Sequence, residues 1–308
     1  MRKLVIFLLL LVSCQLVQLR KTPELLPSVR VGTSSLEIAF SPASSSNVFM
    51  CNQGEVFVEL RNTGATNIED GFYTWIVEDQ FLKPLTARQG KFSLKGKDEY
   101  NPIGGINTSI RLKVQSLDLP EQLDSYSSPL VFQSCYAYST AASVPVCVDP
   151  DIRDSVKNKA CKSGTVSLSG GQGAPVAVTK VESAMVPLPE GNKVQPMFAV
   201  FVQNLGYGQV VQSKDVEAAC KAGGESLLPF ADVTVELQSK KLDCKPVPVR
   251  IEAGTETKFV CKSPDLYDMS TGTFSSVLTV ELNYGYVNTA VFPVTVTRLP
   301  QQEACLKQ

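Results

Sequence analysis

From residue 35 onward the chain is dominated by a two-residue alternation of apolar and polar positions, the signature of strands with one face in a core and one in water. Val56, Val58 and Leu60 alternate with Phe57, Glu59 and Arg61 and stop at Asn62-Thr63-Gly64. Phe72–Val77 is β-branched and aromatic, and Ile110, Leu112 and Val114 alternate with Arg111, Lys113 and Gln115. Leu130–Tyr138 and Ser143–Val148 continue the pattern. The second half repeats it. Met197–Val202 leads into Asn204-Leu205-Gly206, Val233, Val235 and Leu237 alternate with Thr234 and Glu236, and Leu278, Val280, Leu282 and Tyr284 follow. Val291–Thr297 closes the set, with Pro293 predicting an edge position because it has no N–H for a ladder. Many short strands with Gly, Pro and Asn between them predict an all-β protein of antiparallel sandwiches. Two short stretches, Asp151–Lys162 and Lys214–Lys221, are the candidate helices.

The pattern places two β-sandwich domains at residues 35–162 and 176–300, joined by the Gly- and Ser-rich segment 163–175 and followed by a tail at 301–308. No Lys-Ser or Lys-Thr pair follows the glycines of that segment, and Val176-Ala177-Val178 reads as a strand, so it is a linker rather than a phosphate-cradling loop. A short internal echo links the halves: Val58–Gly64 and Val200–Gly206 both run from an alternation into Asn-x-Gly, a pair of residues tolerant of positive φ at a tight turn.

The first fourteen residues differ from all of this. Arg2 and Lys3 precede an unbroken apolar run from Leu4 to Val12. A helix of that length rises only about 14 Å, less than half a bilayer core, which predicts a signal peptide rather than a permanent span. Leu11-Val12-Ser13-Cys14 resembles a lipobox. The resemblance implies lipidation of Cys14 and cleavage before it, leaving residues 15–34 as a tether, a membrane partner reached through the lipid, and a location on the outer face of the cytoplasmic membrane. The other reading is an ordinary signal peptide that removes Cys14.

Removing Cys14 from the nine cysteines leaves eight: Cys51, Cys135, Cys147, Cys161, Cys220, Cys244, Cys261 and Cys305. An even set with no CxxC pair predicts disulfides in an oxidising compartment. Cys147–Cys161 is the natural local bridge, and Cys51–Cys135 would tie an early strand to a late one. Cys244–Cys261 would face each other across a hairpin centred on Glu252–Thr255; Cys220–Cys244 with Cys261–Cys305 is the alternative.

Charge and composition narrow the chemistry. The formal net charge is −1, so no basic field points to nucleic acid, and histidine is absent, which removes the commonest general base and zinc ligand. No catalytic residue, metal site or cofactor is assigned. Asp149-Pro150-Asp151-Ile152-Arg153-Asp154 groups three carboxylates but lacks calcium-loop spacing, and reads as a solvated turn. Trp75 reads as core. Tyr136 with Tyr138 and Tyr284 with Tyr286 each share a strand face, which favours packing with hydroxyls reaching the edge over an aromatic binding face. Asn107-Thr108-Ser109 is a glycosylation triplet before a strand.

The strand-then-Asn-x-Gly pattern resembles the immunoglobulin-like modules of prokaryotic surface proteins, including CARDB-type adhesion-related domains. Cys135–Thr140 running to Cys147–Pro150, Gly170–Val176 and Leu282–Tyr286 are similar to stretches of exported proteins from small-genome archaea. The resemblance implies a fold and an address, with no catalytic or ligand residue. The expectation is a non-enzymatic, anchored surface protein serving adhesion, envelope assembly or contact with a protein or glycan. The alternatives are a sugar- or small-molecule-binding lipoprotein with an aromatic-lined pocket at Ser163–Pro175, and a histidine-free carboxylate hydrolase.

Overall fold

A computed structural model describes residues 29–105, 107–189, 191–222, 227–300 and 304–305. The signal segment, Cys14, most of the tether and most of the C-terminal tail lie outside the described residues.

The described chain is almost entirely antiparallel β-structure, as the alternation predicts. A four-stranded sheet has the order β1 (Leu36–Phe40), β3 (Gln53–Asn62), β7 (Thr108–Ser116) and β5 (Leu82–Pro84). A six-stranded sheet runs β15 (Asp243–Lys245), β17 (Glu256–Lys262), β11 (Lys193–Asn204), β10 (Val176–Pro187) and β9 (Thr165–Ser167), with β18 (Tyr267–Asp268) also against β11. The third sheet is nine-stranded. Its path is β14 (Lys240–Lys241), β13 (Phe230–Leu237), β19 (Phe274–Thr297), β8 (Ser125–Val148), β4 (Ile68–Ile76) and β6 (Gln89–Leu94). Beside that path, β12 (Gln209–Val211) and β2 (Asn47–Phe49) pair with β19, and β16 (Val249–Arg250) pairs with β13.

The unit that organises the molecule is the pair β8 and β19. Each has 24 residues, and they are paired along their whole length, from Phe274 opposite Val148 to Thr297 opposite Ser125. At about 3.3 Å per residue such a ribbon runs roughly 80 Å. The four-stranded sheet covers one half of it: Phe40 of β1 meets Phe292 of β19 at 4.9 Å and Trp75 of β4 at 6.4 Å between ring centres. The six-stranded sheet covers the other half, where Thr140 of β8 donates to the Val176 carbonyl of β10 at 2.6 Å. The flanking strands are staggered to match. β4 borders β8 only at Val131–Tyr136, and β13 borders β19 only at Leu278–Asn283.

The sequence splits each long strand into two, because Ser139-Thr140-Ala141-Ala142 in β8 and Gly285-Tyr286-Val287-Asn288 in β19 break the regular alternation. Burial restores it: Leu130, Phe132, Tyr136, Tyr138, Thr140, Ala142, Val144 and Val146 all face inward. Residues 163–175 do more than join the halves. Thr165–Ser167 forms β9 on the edge of β10, Gly170 and Gly173 exchange backbone hydrogen bonds with Gly32, and the Gly173 carbonyl accepts from Ala65.

A 3₁₀ turn at Ser213–Asp215 leads into the one described α-helix, α1 (Val216–Ala222), in agreement with the helix expected at Lys214–Lys221. It lies on the outer face of the large sheet over Cys135, Val211 and Val287. The second expected helix does not form. Asp151 captures the backbone N–H groups of Ser155 and Val156 with its carboxylate, and this competes with helical hydrogen bonding.

Four disulfides are present: Cys51–Cys305, Cys135–Cys220, Cys147–Cys161 and Cys244–Cys261. The last two are as expected, with Cys244 and Cys261 directly opposite in the β15–β17 ladder. The expected Cys51–Cys135 bridge is wrong, and so is the alternative set for Cys220, Cys244, Cys261 and Cys305. Cys135 alternates with the inward Tyr136, so it points to the outer face, where α1 delivers Cys220. Cys51, in the turn before β3, is clasped by the C-terminal residues. Disulfides of this kind each contribute about 2–4 kcal/mol in small exported domains.

Access differs among the bridges, since Cys135 and Cys220 are buried while Cys51 and Cys305 are only half-buried. Stepwise reduction with alkylation and peptide mapping should therefore label Cys51 and Cys305 well before Cys135 and Cys220. Simultaneous labelling of both pairs would contradict this burial.

Candidate functional site

At the middle of the ribbon Ala137 stands opposite Gly285, and around that point four tyrosines face inward in two opposed pairs, Tyr136 with Tyr286 and Tyr138 with Tyr284. All four are buried, with ring centres 5.7–6.5 Å apart between neighbours. Each hydroxyl is held. Tyr138 donates to Asn62 Oδ1 at 3.2 Å and receives the Thr66 N–H. Tyr286 donates to Asn204 Oδ1 at 3.1 Å and receives the Gly208 N–H. Tyr136 bonds Ser35 at 2.7 Å and accepts from Asn288, and Tyr284 bonds Thr140 at 3.0 Å and accepts from Val176 N–H.

This seam explains the echoed Asn-x-Gly turns, and for a reason other than the one expected. Neither Gly64 nor Gly206 has a positive φ. Their lack of a side chain makes room for a tyrosine: a Cβ on Gly64 would collide with the Tyr138 hydroxyl and stand 2.7 Å from the Ser34 carbonyl. A Cβ on Gly206 would collide with the Tyr286 hydroxyl and stand 2.7 Å from Pro175. The Asn of each turn accepts that hydroxyl and the N–H of its own glycine, at 3.1 Å in both turns.

Burial drives all four phenols above their usual range, Tyr286 to about 12. They remain neutral donors at ordinary pH, and the seam is a structural joint in which the hydroxyls do not reach the surface. A sequence signal for it exists. Tyr136, Tyr138, Ala142, Pro145, Val146 and Val148 recur in the same spacing as Tyr284, Tyr286, Ala290, Pro293, Val294 and Val296, a longer repeat than the turn echo alone.

The Asp149–Asp154 turn is not simply solvated. The Lys159 ammonium sits among its carboxylates, 2.9 Å from Asp149 and 2.6 Å from Asp154, and 2.8 Å from the Asp151 carbonyl. The side chains of Lys159 and Asp151 are buried, and the loop is closed at its base by Cys147–Cys161. Hydrogen bonds from Val156 N–H and then the Ser155 hydroxyl hold the Asp151 carboxyl well below the usual carboxylate range, and the hydrogen bond from Lys159 lowers that of Asp154. The chain thus supplies its own cation where a metal would otherwise be sought.

The other sequence candidates fall into place. Trp75 is core, edge-on to Phe132 at 4.8 Å. Asn107 is exposed just before β7. Cys51, Asp118 and Cys305 approach as metal ligands would, but the two sulfurs are bonded to each other and Asp118 accepts the Cys305 N–H at 2.6 Å. A depression of about 420 Å³ touches the 163–175 segment beside Arg30 and Ala141–Ser143, and its lining holds no aromatic residue. A larger groove, about 470 Å³, lies between β1 and the edge of β19 and is bordered by Leu205, Gly206 and Tyr207. Among the described residues no helix is long and apolar enough to cross a membrane.

Set against known protein-family models and curated proteins, the sequence matches none.

Three substitutions probe these arrangements. Gly64→Ala should lower stability by about 1–3 kcal/mol through overpacking of the Tyr138 pocket, whereas Gly164→Ala, with open space around it, should stay within about 0.5 kcal/mol in chemical denaturation. A depressed carboxylate pKa gives stability that is present above the usual value of 3.8 and is lost as pH falls below it. Lys159→Gln should therefore lower the melting temperature at pH 7, with the gap to wild type closing as the pH drops below about 4. A gap independent of pH would contradict an electrostatic role for Lys159.

Proposed function

We propose that the protein is a lipid-anchored cell-surface module that holds a rigid face for contact with another macromolecule, serving adhesion or envelope assembly rather than catalysis. The observation that carries this reading is the combination of four disulfides with a ribbon shared by both halves. Sulfur cross-links of this density fit an oxidising compartment outside the cytosol. A continuous nine-stranded sheet with a buried, fully bonded tyrosine seam leaves little freedom between the halves, as a spacer or presenting scaffold requires.

The lipobox resemblance of Leu11–Cys14 supplies the anchor in this reading, with two or more acyl chains needed for durable attachment at about 0.8 kcal/mol per buried CH₂. The immunoglobulin-like, CARDB-type resemblance supports a contact role for the sandwich. The inward-facing tyrosines and the Asp cluster gathered around Lys159 offer no activated group for a reaction.

Intact-mass measurement under non-reducing conditions on membrane-extracted protein tests the address. The expected species begins at Cys14, carries acyl additions and lacks eight hydrogens because of four disulfides. A thiol-rich, unacylated chain retaining Met1 would overturn the proposal.

A further inference from the structure

The two ends of the β8–β19 ribbon carry loops of opposite character. At the end where Ser125 meets Thr297, the loop 117–124 exposes Asp118, Glu121 and Asp124. Arg298 forms no ion pair with them, since its Nη2 bonds the Leu119 and Pro120 carbonyls. At the end where Val148 meets Phe274 stands the loop between Cys147 and Cys161, whose Cα atoms are 5.8 Å apart. Its carboxylates are engaged: those of Asp149 and Asp154 by Lys159, and that of Asp151 by Ser155 and Val156. Its other cations are not. Arg153, Lys157 and Lys162 are exposed and form no ion pair among the described residues, and beside them Ile152 is 42% exposed and Val156 52%.

A disulfide at the base of this loop and a lysine at its centre fix its shape, so little further ordering is needed for it to make a contact. Apolar side chains set among free cations fit one kind of surface, a bilayer whose headgroups are anionic and whose interior is apolar.

The place where the chain enters the fold favours the same end. Arg30 lies beside Ala141–Ser143 of β8. At about 3.3 Å per residue, β8 rises about 20 Å from Ala142 to Val148 but about 55 Å from Ala142 back to Ser125. Residues 15–28, between Cys14 and the first described residue, reach at most about 50 Å at full extension. An anchor at Cys14 therefore leaves slack for the molecule to stand on its Val148 end, and too little chain for it to stand on the acidic end.

We propose that the loop 149–162 is a membrane-contact site for anionic lipid. Ile152 and Val156 enter the headgroup layer, Arg153, Lys157 and Lys162 meet lipid phosphates, and the acidic loop 117–124 is held farthest from the bilayer. The tether argument rests on the lipid-anchored reading above; the chemistry of the loop does not.

The test mixes the full chain with vesicles of phosphatidylcholine alone or with added phosphatidylglycerol, and reads flotation together with acetylation of individual lysines. Flotation with the neutral vesicles reports the anchor. On the anionic vesicles, acetylation of Lys157 and Lys162 should slow by about fivefold or more, while Lys83 at the other end stays unchanged. Salt at about 0.5 M should remove the difference. Arg153→Gln combined with Lys157→Gln, both exposed and outside the Lys159 cluster, should abolish the protection of Lys162 without changing the melting temperature, and Ile152→Ser should weaken it about threefold. Flotation with anionic vesicles only, with both lysines protected, would keep the contact site and remove the anchor. Flotation with both vesicles and equal acetylation on each would keep the anchor and overturn the contact site. Protection by soluble polyglutamate, with none on anionic vesicles, would also overturn it by making the partner an acidic polymer.

Discussion

The register that sets Ala137 opposite Gly285 in the β8–β19 ribbon is the constraint from which the rest of the structure follows. Strand side chains alternate between faces, so a slip of β8 by one residue against β19 would turn Tyr136 and Tyr138 to the outer face, away from Tyr286 and Tyr284, and bring Cys135 inward, away from Cys220. Two sets of contacts oppose that slip from opposite faces. Inside, the hydroxyls are tied to Asn62, Asn204, Ser35 and Thr140. Outside, the Cys135–Cys220 bridge pins the helix insertion over the same point. Buried hydroxyls are costly when unpaired and contribute modestly when paired, so this joint specifies alignment more than it adds net stability.

From that alignment comes the shape. A sheet of two very long strands cannot be buried by one partner sheet of ordinary width, and the chain covers it with two, one on each half. Neither half keeps its long strand to itself: β8 precedes the segment 163–175 yet provides a wall for the six-stranded sheet, and β19 does the reverse for the four-stranded one. Cohesion between the halves is therefore a matter of backbone hydrogen bonding and core packing rather than of a surface interface.

Much of this was legible in the sequence, and the parts that were not have physical reasons. Alternation at Val56–Leu60, Ile110–Val114 and Val233–Leu237 reports half-buried strands directly, and all three are strands. The middle of β8 is harder because its inward residues Thr140 and Ala142 are polar or small and do not stand out from Ser139 and Ala141 beside them. Asp151–Lys162 has helical composition, but Asp151 and Lys159 find better partners in each other's surroundings than in a helix. Local bridges such as Cys147–Cys161 follow from spacing, whereas Cys51–Cys305 joins residues far apart in sequence and depends on the completed fold.

The Cys51–Cys305 clasp has a mechanical consequence. It joins a turn near the start of the fold to the last described residues, enclosing nearly the whole sandwich in a covalent ring. Tension applied between residue 29 and the chain beyond Cys305 would travel through the short stretch up to Cys51 and then across the sulfur bridge. Only β1 and β2 would be peeled, and the long ribbon with its tyrosine seam would sit off the load path, able to keep its shape while the ends are pulled.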